Sequence, residues 1–298
     1  MINKKNIPTK CKLLISQWKE NLNLTNYERT KYKDILNQLD YQLTKSEKKE
    51  LQVSVYGRVG VGKSSLLNAL MGKKIFRTDI VNGNTKTIKS VKWCKKFKSL
   101  NKVELIDSPG IDEINNTNKE EINFHCLLDT DLILFVIDSD ITRIELNYIE
   151  ELLRHNKPLL LVLNRCDQWN ERETKLILSS IHKKLSFYKQ KIKIALVASS
   201  PRKAKIKEDG TVRSEQKNPK VDILKRELKD IIDENGELLL CINSLRIADQ
   251  FYKLLKENRL LKRKEAAQSL IGKYAALKAS GVAINPFLMI DLVTGVAF

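Results

Sequence analysis

Up to residue 50, the apolar positions follow a helical period. They recur at every fourth position in two runs, Leu14, Trp18, Leu22 and then Ile35, Leu39, Leu43. This spacing places apolar side chains on one face of a helix. Asn and Thr residues within 23–26 separate the two runs. Residues 8–50 are therefore predicted to form a pair of helices.

From residue 51 onward, short apolar runs alternate with longer amphipathic segments. The runs are rich in branched side chains and lie at 51–56, 102–106, 131–137, 158–163 and 193–198. The amphipathic segments include 63–71, 141–155 and 173–189. Strands that alternate with helices predict an α/β fold, with a mostly parallel sheet and helices on both faces. A weaker alternation at 87–94 predicts an antiparallel edge strand.

The last hundred residues lack this alternation. Residues 200–220 contain Pro, Gly and charges without an apolar period, and they predict a loop. Two helices are predicted after it, at 221–234 and 237–278. The stretch 241–280 is basic, with nine Lys or Arg against three Asp or Glu.

The charge balance points to acidic partners without deciding among them. The 298 residues carry a formal charge of +18, from 54 Lys and Arg against 36 Asp and Glu. Such an excess favours phosphate, nucleic acid or an anionic membrane as a partner. The lysines are spread over the whole chain, so a general compositional bias explains the charge equally well. The five cysteines are scattered without a Cys-x-x-Cys pair, which is typical of a reducing cytosol.

The segment after the first predicted strand matches a phosphate-binding loop. It reads Gly57-Arg58-Val59-Gly60-Val61-Gly62-Lys63-Ser64, and it opens a predicted helix that continues with Ser65. Glycines allow successive backbone N–H groups to point at phosphates, and the helix N-terminus adds a favourable dipole. Lys63 can bridge the β- and γ-phosphates, and the Ser64 hydroxyl can bind Mg²⁺.

A second candidate magnesium ligand lies at the end of the strand predicted at 102–106. Asp107 begins the motif Asp-Ser-Pro-Gly110. A carboxylate at this point can hold Mg²⁺ through water, and the Gly110 N–H can reach a γ-phosphate. Earlier in the chain, either Thr85 or Thr87 can supply a hydroxyl that completes the magnesium shell.

Two further strand ends carry groups suited to a guanine base. An Asn-x-x-Asp motif, Asn164 to Asp167, follows a buried apolar strand. The Asp167 carboxylate can accept hydrogen bonds from guanine N1–H and the 2-amino group, which adenine does not offer. Asn164 is expected to tie this segment to the phosphate loop and to reach the base, while Arg165 covers the base. At the next strand end, Ala198 or Ser199 is expected to present a backbone N–H to guanine O6.

Motifs in this order resemble the Era-like and dynamin-like branch of P-loop GTPases, over about residues 51–200. More closely, three stretches resemble a bacterial GTP-binding family with a C-terminal apolar, membrane-associated domain of unknown function; they lie at 56–70, 104–114 and 283–292. The resemblance implies GTP or GDP and Mg²⁺ as cofactors. It selects Thr85 as the switch threonine, and it implies catalytic roles for Lys63, Thr85 and Gly110.

Two departures from the family pattern bear on activity. Ile111 follows the Asp-x-x-Gly motif where Ras-like enzymes carry a Gln that orients water. Isoleucine can neither orient nor deprotonate water, so slow intrinsic hydrolysis is expected. Gly60 replaces the Asn of potassium-activated relatives, which argues against stimulation by potassium.

The apolar run at 279–298 is long enough to span a membrane as a helix. Pro286 and Asp291 weaken a simple transmembrane interpretation, because a carboxylate inside the bilayer is costly. The basic stretch before the run fits an anionic membrane face. The alternative is a buried helix of a soluble domain. The run is also consistent with the start of a truncated membrane domain.

These features favour a GTP-binding protein that hydrolyses GTP slowly with Mg²⁺, as a regulatory or mechanochemical switch that is cytoplasmic and membrane-associated. The alternatives are an RNA- or ribosome-associated GTPase and a non-hydrolysing GTP-binding scaffold. Nucleic acid is less favoured because aromatic residues are only scattered among the basic ones; a homo-oligomer stays open. The predicted domains are an N-terminal helical segment (1–50), a GTPase domain (51–235), a basic helical region (236–280) and an apolar segment (281–298).

Overall fold

The computed structural model describes residues 7–76, 89–111, 124, 126–188, 192–206 and 212–284. Its helices are α1 (Ile7–Glu20), α2 (Asn26–Lys31), α3 (Lys33–Lys48), α4 (Lys63–Met71), α5 (Arg143–Arg154), α6 (Glu171–Leu185) and α7 (Asp222–Ile284). Its strands are β1 (Glu50–Tyr56), β2 (Lys89–Lys92), β3 (Lys102–Asp107), β4 (Leu132–Ile137), β5 (Leu159–Leu163), β6 (Ile194–Leu196), β7 (Arg202–Ile206) and β8 (Val212–Gln216). This order agrees with the predicted succession of helices, then alternating strands and helices.

Six strands form one sheet in the order β2-β3-β1-β4-β5-β6. β1 pairs in parallel with β3 and with β4, and parallel pairing continues through β5 to β6. β2 is antiparallel to β3 and lies at the edge of the sheet. The predicted mostly parallel sheet and its antiparallel edge strand are confirmed. Because the parallel strands share one direction, the segments that follow them meet along one edge of the sheet.

The core consists of two apolar clusters, one on each face of the sheet. The central strand β4 contributes side chains to both clusters. All six residues of β4 are buried. Leu132, Leu134 and Val136 pack into the cluster that also contains residues of α4 and the start of α7. Ile133, Phe135 and Ile137 pack into the cluster that also contains residues of α5 and α6. Successive side chains of a strand point to opposite faces, so a strand covered on both sides is apolar throughout.

Residues 202–206 and 212–216 lie within the predicted loop, but they form the two strands β7 and β8. These strands pair antiparallel along their whole length. Beside them, the Ala198 N–H donates to the Lys220 carbonyl at 3.1 Å, and the Lys220 N–H donates to the Ala198 carbonyl at 2.8 Å. The two strands satisfy each other's backbone groups without an apolar period, and this is why the sequence pattern did not reveal them.

The two helices predicted at 221–234 and 237–278 are one continuous helix, α7, because Gly236 does not end it. A Cβ atom on Gly236 would lie 2.8 Å from Leu100 Cδ1. The missing side chain therefore lets the β2–β3 connection approach the helix closely. Glycine weakens a helix by about 1 kcal/mol relative to alanine, which tertiary packing readily offsets.

The chain forms two compact units, one of Met1–Asn23 and Leu36–Ile247 and the other of Leu24–Ile35 and Ala248–Phe298. The sheet and its covering helices belong to the first. Within the described residues, no helix has the length and apolar character needed to cross a bilayer. Most of the apolar run at 279–298, including Asn285 and Asp291, lies outside the described residues.

The second unit is held by an ion pair between α2 and α7. Arg259 donates from Nε to Glu28 Oε1 at 2.8 Å and from a terminal nitrogen to Glu28 Oε2 at 3.1 Å. These bonds, with those from Thr25 in the capping box of α2, lower the pKa of Glu28 to about 2. The Tyr32 hydroxyl donates to the Leu254 carbonyl at 3.1 Å. Short α2 is therefore fixed at both of its ends.

A buried polar cluster lies just before β4, in the first unit. Lys45 of α3 pairs with Asp131 at 2.9 Å, and their side chains are only 2% and 0% exposed. Lys157 donates from Nζ to the Leu128 carbonyl at 2.7 Å and to Asn243 Oδ1 of α7 at 3.1 Å. The cluster therefore joins α3 and α7 to the start of the central strand.

We expect Lys157→Met to lower the free energy of unfolding by about 2–4 kcal/mol, because it removes the hydrogen bonds that Lys157 Nζ donates to the buried Leu128, Thr130 and Asn243 oxygens. Burial and the nearby Arg246 cation lower the pKa of Lys157 to about 7, whereas a lysine in an unfolded chain titrates near 10.4. Between these two pKa values the unfolded chain binds the extra proton, so the stability of the wild type rises with pH.

Urea unfolding of both proteins at about pH 6.5 and about pH 9 measures this effect. The stability gap between the wild type and Lys157→Met should widen at the higher pH. A gap that is equal at the two pH values would contradict the buried, deprotonating lysine.

Candidate nucleotide-binding site

The phosphate loop joins β1 to α4, as its sequence predicts. Gly57, Gly60 and Gly62 have φ values of +148°, +83° and +94°, which favour glycine. A Cβ atom on Gly57 would lie 2.2 Å from the Val136 carbonyl oxygen, and one on Gly62 would lie 2.5 Å from Asn164 Nδ2. At Gly57 and Gly62, therefore, both the backbone conformation and the close neighbouring atoms exclude a side chain.

Lys63 is the first residue of α4, and its side chain turns back over the loop. Its Nζ donates to the Gly57 carbonyl at 3.0 Å and to the Arg58 carbonyl at 2.8 Å. A Cβ atom on Gly110 would lie 3.0 Å from this Nζ and 2.7 Å from Val59 Cγ2. The predicted catalytic residues Lys63 and Gly110 are thus neighbours. The third, Thr85, lies outside the described residues.

Two of the predicted magnesium ligands are in direct contact. The Ser64 hydroxyl donates to Asp107 Oδ2 at 2.7 Å. Asp107 is the last residue of β3 and pairs with Val55 of β1, so the sheet itself brings the carboxylate to the start of α4. A hydroxyl oxygen and a carboxylate oxygen are the hard ligands that Mg²⁺ prefers. The donor set therefore fits the metal.

Ile111, which follows the Asp-x-x-Gly motif, is a core residue. Its side chain is 5% exposed and belongs to the same apolar cluster as Tyr56 and Phe135. Its backbone N–H donates to the Gly57 carbonyl at 3.2 Å. Ras-like enzymes carry a water-orienting Gln at this position. Here Ile111 instead packs into the core and bonds to Gly57 of the phosphate loop.

Asn164 binds both neighbouring loops. Its Nδ2 donates to the Val61 carbonyl at 2.8 Å, and its Oδ1 accepts the Ser199 N–H at 3.0 Å. Its own backbone N–H donates to the Ile137 carbonyl at 2.8 Å. The predicted tie to the phosphate loop is present in this geometry. The side chain is buried, with 1% exposure, and both ends of its amide bond to protein atoms.

Arg165 also reaches the phosphate loop. One terminal nitrogen donates to the Gly60 carbonyl, and the other pairs with Asp138 Oδ2 at 3.0 Å. The backbone of Arg165 is left-handed, with φ +59°, which marks the tight turn into the short 3₁₀ helix Cys166–Gln168. Asp167 lies in that turn and is exposed. A side chain that is to read a base must be accessible, and Asp167 is.

The two N–H groups expected to reach guanine O6 have partners within the protein. The Ala198 N–H donates to the Lys220 carbonyl, and the Ser199 N–H donates to Asn164 Oδ1. The next N–H along the chain belongs to Ser200.

The remaining residues of the phosphate loop differ in burial. Val61 is buried and Val59 is exposed, while Arg58 and Ser65 are half-buried. Asp138, one residue after β4, was missed because an acidic residue after a strand looks like an ordinary loop. Only its contact with Arg165 distinguishes it, and that contact joins residues far apart in the chain.

Residues 52–165 match the family model described as 50S ribosome-binding GTPase. A GTPase Era from Lactobacillus helveticus is 32% identical over 46% of this chain and 47% of its own length. The Fe(2+) transporter FeoB of Campylobacter jejuni is 35% identical over 40% of this chain and 19% of its own length. The chain thus spans about half, or less, of the length of these relatives.

Solved structures that resemble the chain include an Era protein and a bacterial dynamin pair. Aquifex aeolicus Era, bound to GDP and AlF₄⁻, is 24% identical over 61% of this chain and 56% of its own, with a TM-score of 0.47. A bacterial dynamin pair, described as oligomerised and as tethering membranes, is 13% identical over 99% of this chain and 63% of its own, also with a TM-score of 0.47. The match over residues 52–165 and the order of strands in the sheet give the chain the P-loop GTPase fold.

Proposed function

We propose that this chain binds GTP with Mg²⁺ and hydrolyses it slowly, as a switch between a GTP-bound and a GDP-bound form. The observation that carries the proposal is the hydrogen bond that Asn164 donates to Val61, which ties residues 164–167 (the base segment) to the phosphate loop. Asn164 also accepts the Ser199 N–H. One ligand with a base and a triphosphate needs these two segments at a constant separation. The name of the relative GTPase Era supports the same activity.

In this proposal the backbone of residues 57–65 surrounds the phosphates. Lys63 leaves its two carbonyl partners, which are 2.8 and 3.0 Å away, to neutralise the β- and γ-phosphates. The neighbouring Gly110 N–H contributes to the γ-phosphate, since its lack of a side chain allows a close approach. Charge stabilisation of this kind is the main contribution of the protein to phosphoryl transfer.

The metal would be held by Ser64 directly and by Asp107 through water, with Thr85 completing the shell once GTP is bound. Asp107 is 3% exposed, and a buried carboxylate is most stable beside a cation. When bound, Mg²⁺ neutralises charge that develops on the phosphate oxygens.

The base would be recognised by Asp167, with the stem and guanidinium plane of Arg165 beside it. Asn164 holds the segment in place. Ser200 replaces Ala198 and Ser199 as our candidate donor to guanine O6, because their N–H groups have partners within the protein.

We expect Asp167→Asn to lower the affinity for GTP by at least about 100-fold and to raise the affinity for xanthosine triphosphate, because an amide pairs with the xanthine 2-oxygen. Competition between labelled GTP and each unlabelled nucleotide measures this. Lys63→Ala is the control, and it should lose both nucleotides. Unchanged GTP affinity in Asp167→Asn would refute guanine recognition by this residue.

Single-turnover hydrolysis of GTP by the wild type should be slow, on the order of 10⁻³ s⁻¹ or below, which is the range of an unassisted Ras-like site. Ile111 is packed into the core and supplies no group that orients water. A rate of about one per second without any partner would contradict this expectation. Absence of hydrolysis with GTP bound would favour the non-hydrolysing scaffold.

The partner of the switch is proposed to be an anionic surface. On α7 the side chains of residues 260–276 are exposed, and they include both bulky apolar groups (Leu260, Leu261, Leu270, Ile271 and Tyr274) and cations. Apolar and basic side chains on an exposed helix favour an anionic membrane. The name of the matching family model, 50S ribosome-binding GTPase, favours a ribosome instead.

Co-sedimentation separates the two partners. A membrane switch should pellet with vesicles that contain anionic lipid and stay in solution with neutral vesicles. Replacing Leu270 and Ile271 with serine should then weaken pelleting several-fold. Pelleting with ribosomal particles and not with anionic vesicles would refute the membrane hypothesis and favour the ribosome.

The predicted domain boundaries stay proposals, above all residues 51–235 for the GTPase domain.

A further inference from the structure

Arg165 stands where a lysine is more usual, and its guanidinium has two partners at once. One terminal nitrogen pairs with Asp138 Oδ2 at 3.0 Å, and the other donates to the Gly60 carbonyl. A guanidinium presents its N–H groups in a rigid fork, whereas a lysine ammonium is a single point of charge on a flexible stem. Holding two fixed partners on opposite sides therefore favours arginine.

Asp138 directly follows β4, the central strand whose six residues are all buried. The last residue of that strand, Ile137, accepts the backbone N–H of Asn164 at 2.8 Å. Two links thus leave the end of β4 in parallel, one to Asn164 and one to Arg165. Each continues to a carbonyl of the phosphate loop, at Val61 and at Gly60.

The Gly60 end of this connection is open on its Cβ side within the part of the chain that the structure describes. There, no atom other than those of its chain neighbours lies within 4 Å of the place where its Cβ would be, and its φ is +83°. A glycine in open space is free to change conformation unless a hydrogen bond restrains it. The bond from Arg165 is such a restraint, and it acts on the loop that surrounds the phosphates.

We propose that Asp138 is a positioning residue of the nucleotide site. By holding one end of the Arg165 guanidinium, it keeps the other end on Gly60, so that the base segment and the phosphate loop stay together. Release of a bound nucleotide requires these two segments to separate, so the ion pair slows the dissociation of GDP and GTP. The inference rests on the proposed binding of guanine nucleotide.

The sign of the effect distinguishes this role from simple electrostatics. A nucleotide is an anion, so neutralising a nearby carboxylate should by itself strengthen binding. Loss of the positioning contact should instead weaken it. The Asp138 and Arg165 side chains are 29% and 42% exposed, so the contact is partly screened. We expect a change in dissociation rate of about 3- to 10-fold.

The test is the dissociation rate of a fluorescent GDP from the Mg²⁺-loaded full chain, chased with excess unlabelled GDP. Asp138→Asn should release the nucleotide about 3- to 10-fold faster than the wild type. Arg165→Lys should do the same, because an ammonium cannot keep both partners. The double variant should be no faster than the faster single variant, since both changes break one connection.

Asp140 offers a matched control in the same loop. Changing Asp140 to asparagine removes the same charge as the change at Asp138. The partners of Asp140, however, are Lys184 and Ser180 of α6, each at 2.8 Å. Asp140→Asn should therefore leave the dissociation rate within about twofold of the wild-type rate. An equal acceleration in Asp138→Asn and Asp140→Asn would show a general effect of charge and would overturn the proposal.

Two further outcomes are decisive. An unchanged or slower release from Asp138→Asn, in a protein that binds GDP normally, would overturn the positioning role and leave the proposed function intact. Rates that multiply in the double variant would also overturn it, since they would show two independent contacts. A wild type that fails to bind GDP would refute the proposed function, and this inference with it.

Discussion

The hydrogen bonds of the Asn164 amide are the constraint on which the nucleotide site depends. This buried group bonds to Val61 and to Ser199, so it joins the ends of β1, β5 and β6. A buried amide that lost either partner would leave an unpaired polar atom at a cost of about 1–3 kcal/mol. The side chain also fits against Gly62, where any Cβ would be only 2.5 Å from its Nδ2. Gly62 of the phosphate loop and Asn164 of the base segment therefore pack directly against each other.

Much of this arrangement could be predicted from the sequence, because the relevant signals are local. The helix Lys63–Met71 has the predicted bounds, since a glycine-rich turn and an apolar period define both of its ends. The strands could be predicted because a central parallel strand is apolar throughout, as in β4. The pairing of Ser64 with Asp107 follows from the rule that the ends of parallel strands meet at one edge.

The features that could not be predicted depend on contacts between distant parts of the chain. The N–H groups of Ala198 and Ser199 look available in the sequence, and only the bonds to Lys220 and Asn164 show otherwise. Gly236 resembles a helix break until its closeness to Leu100 is seen. Asp138 shows its role only through Arg165. In each case the residue type is common, and the contact with a distant residue determines its structural role.

The burial of β4 on both faces has a mechanical consequence. Regions with many buried apolar contacts open rarely, whereas exposed edges open with little free energy. The links to Asn164 and Arg165 start from the end of β4, so the proposed guanine side of the site is attached to a strand that is buried throughout. β2, at the edge beside β3, has no fully buried residue. In the proposed switch, strain from loss of the γ-phosphate is therefore expected to spread toward β2, while the centre of the sheet stays fixed.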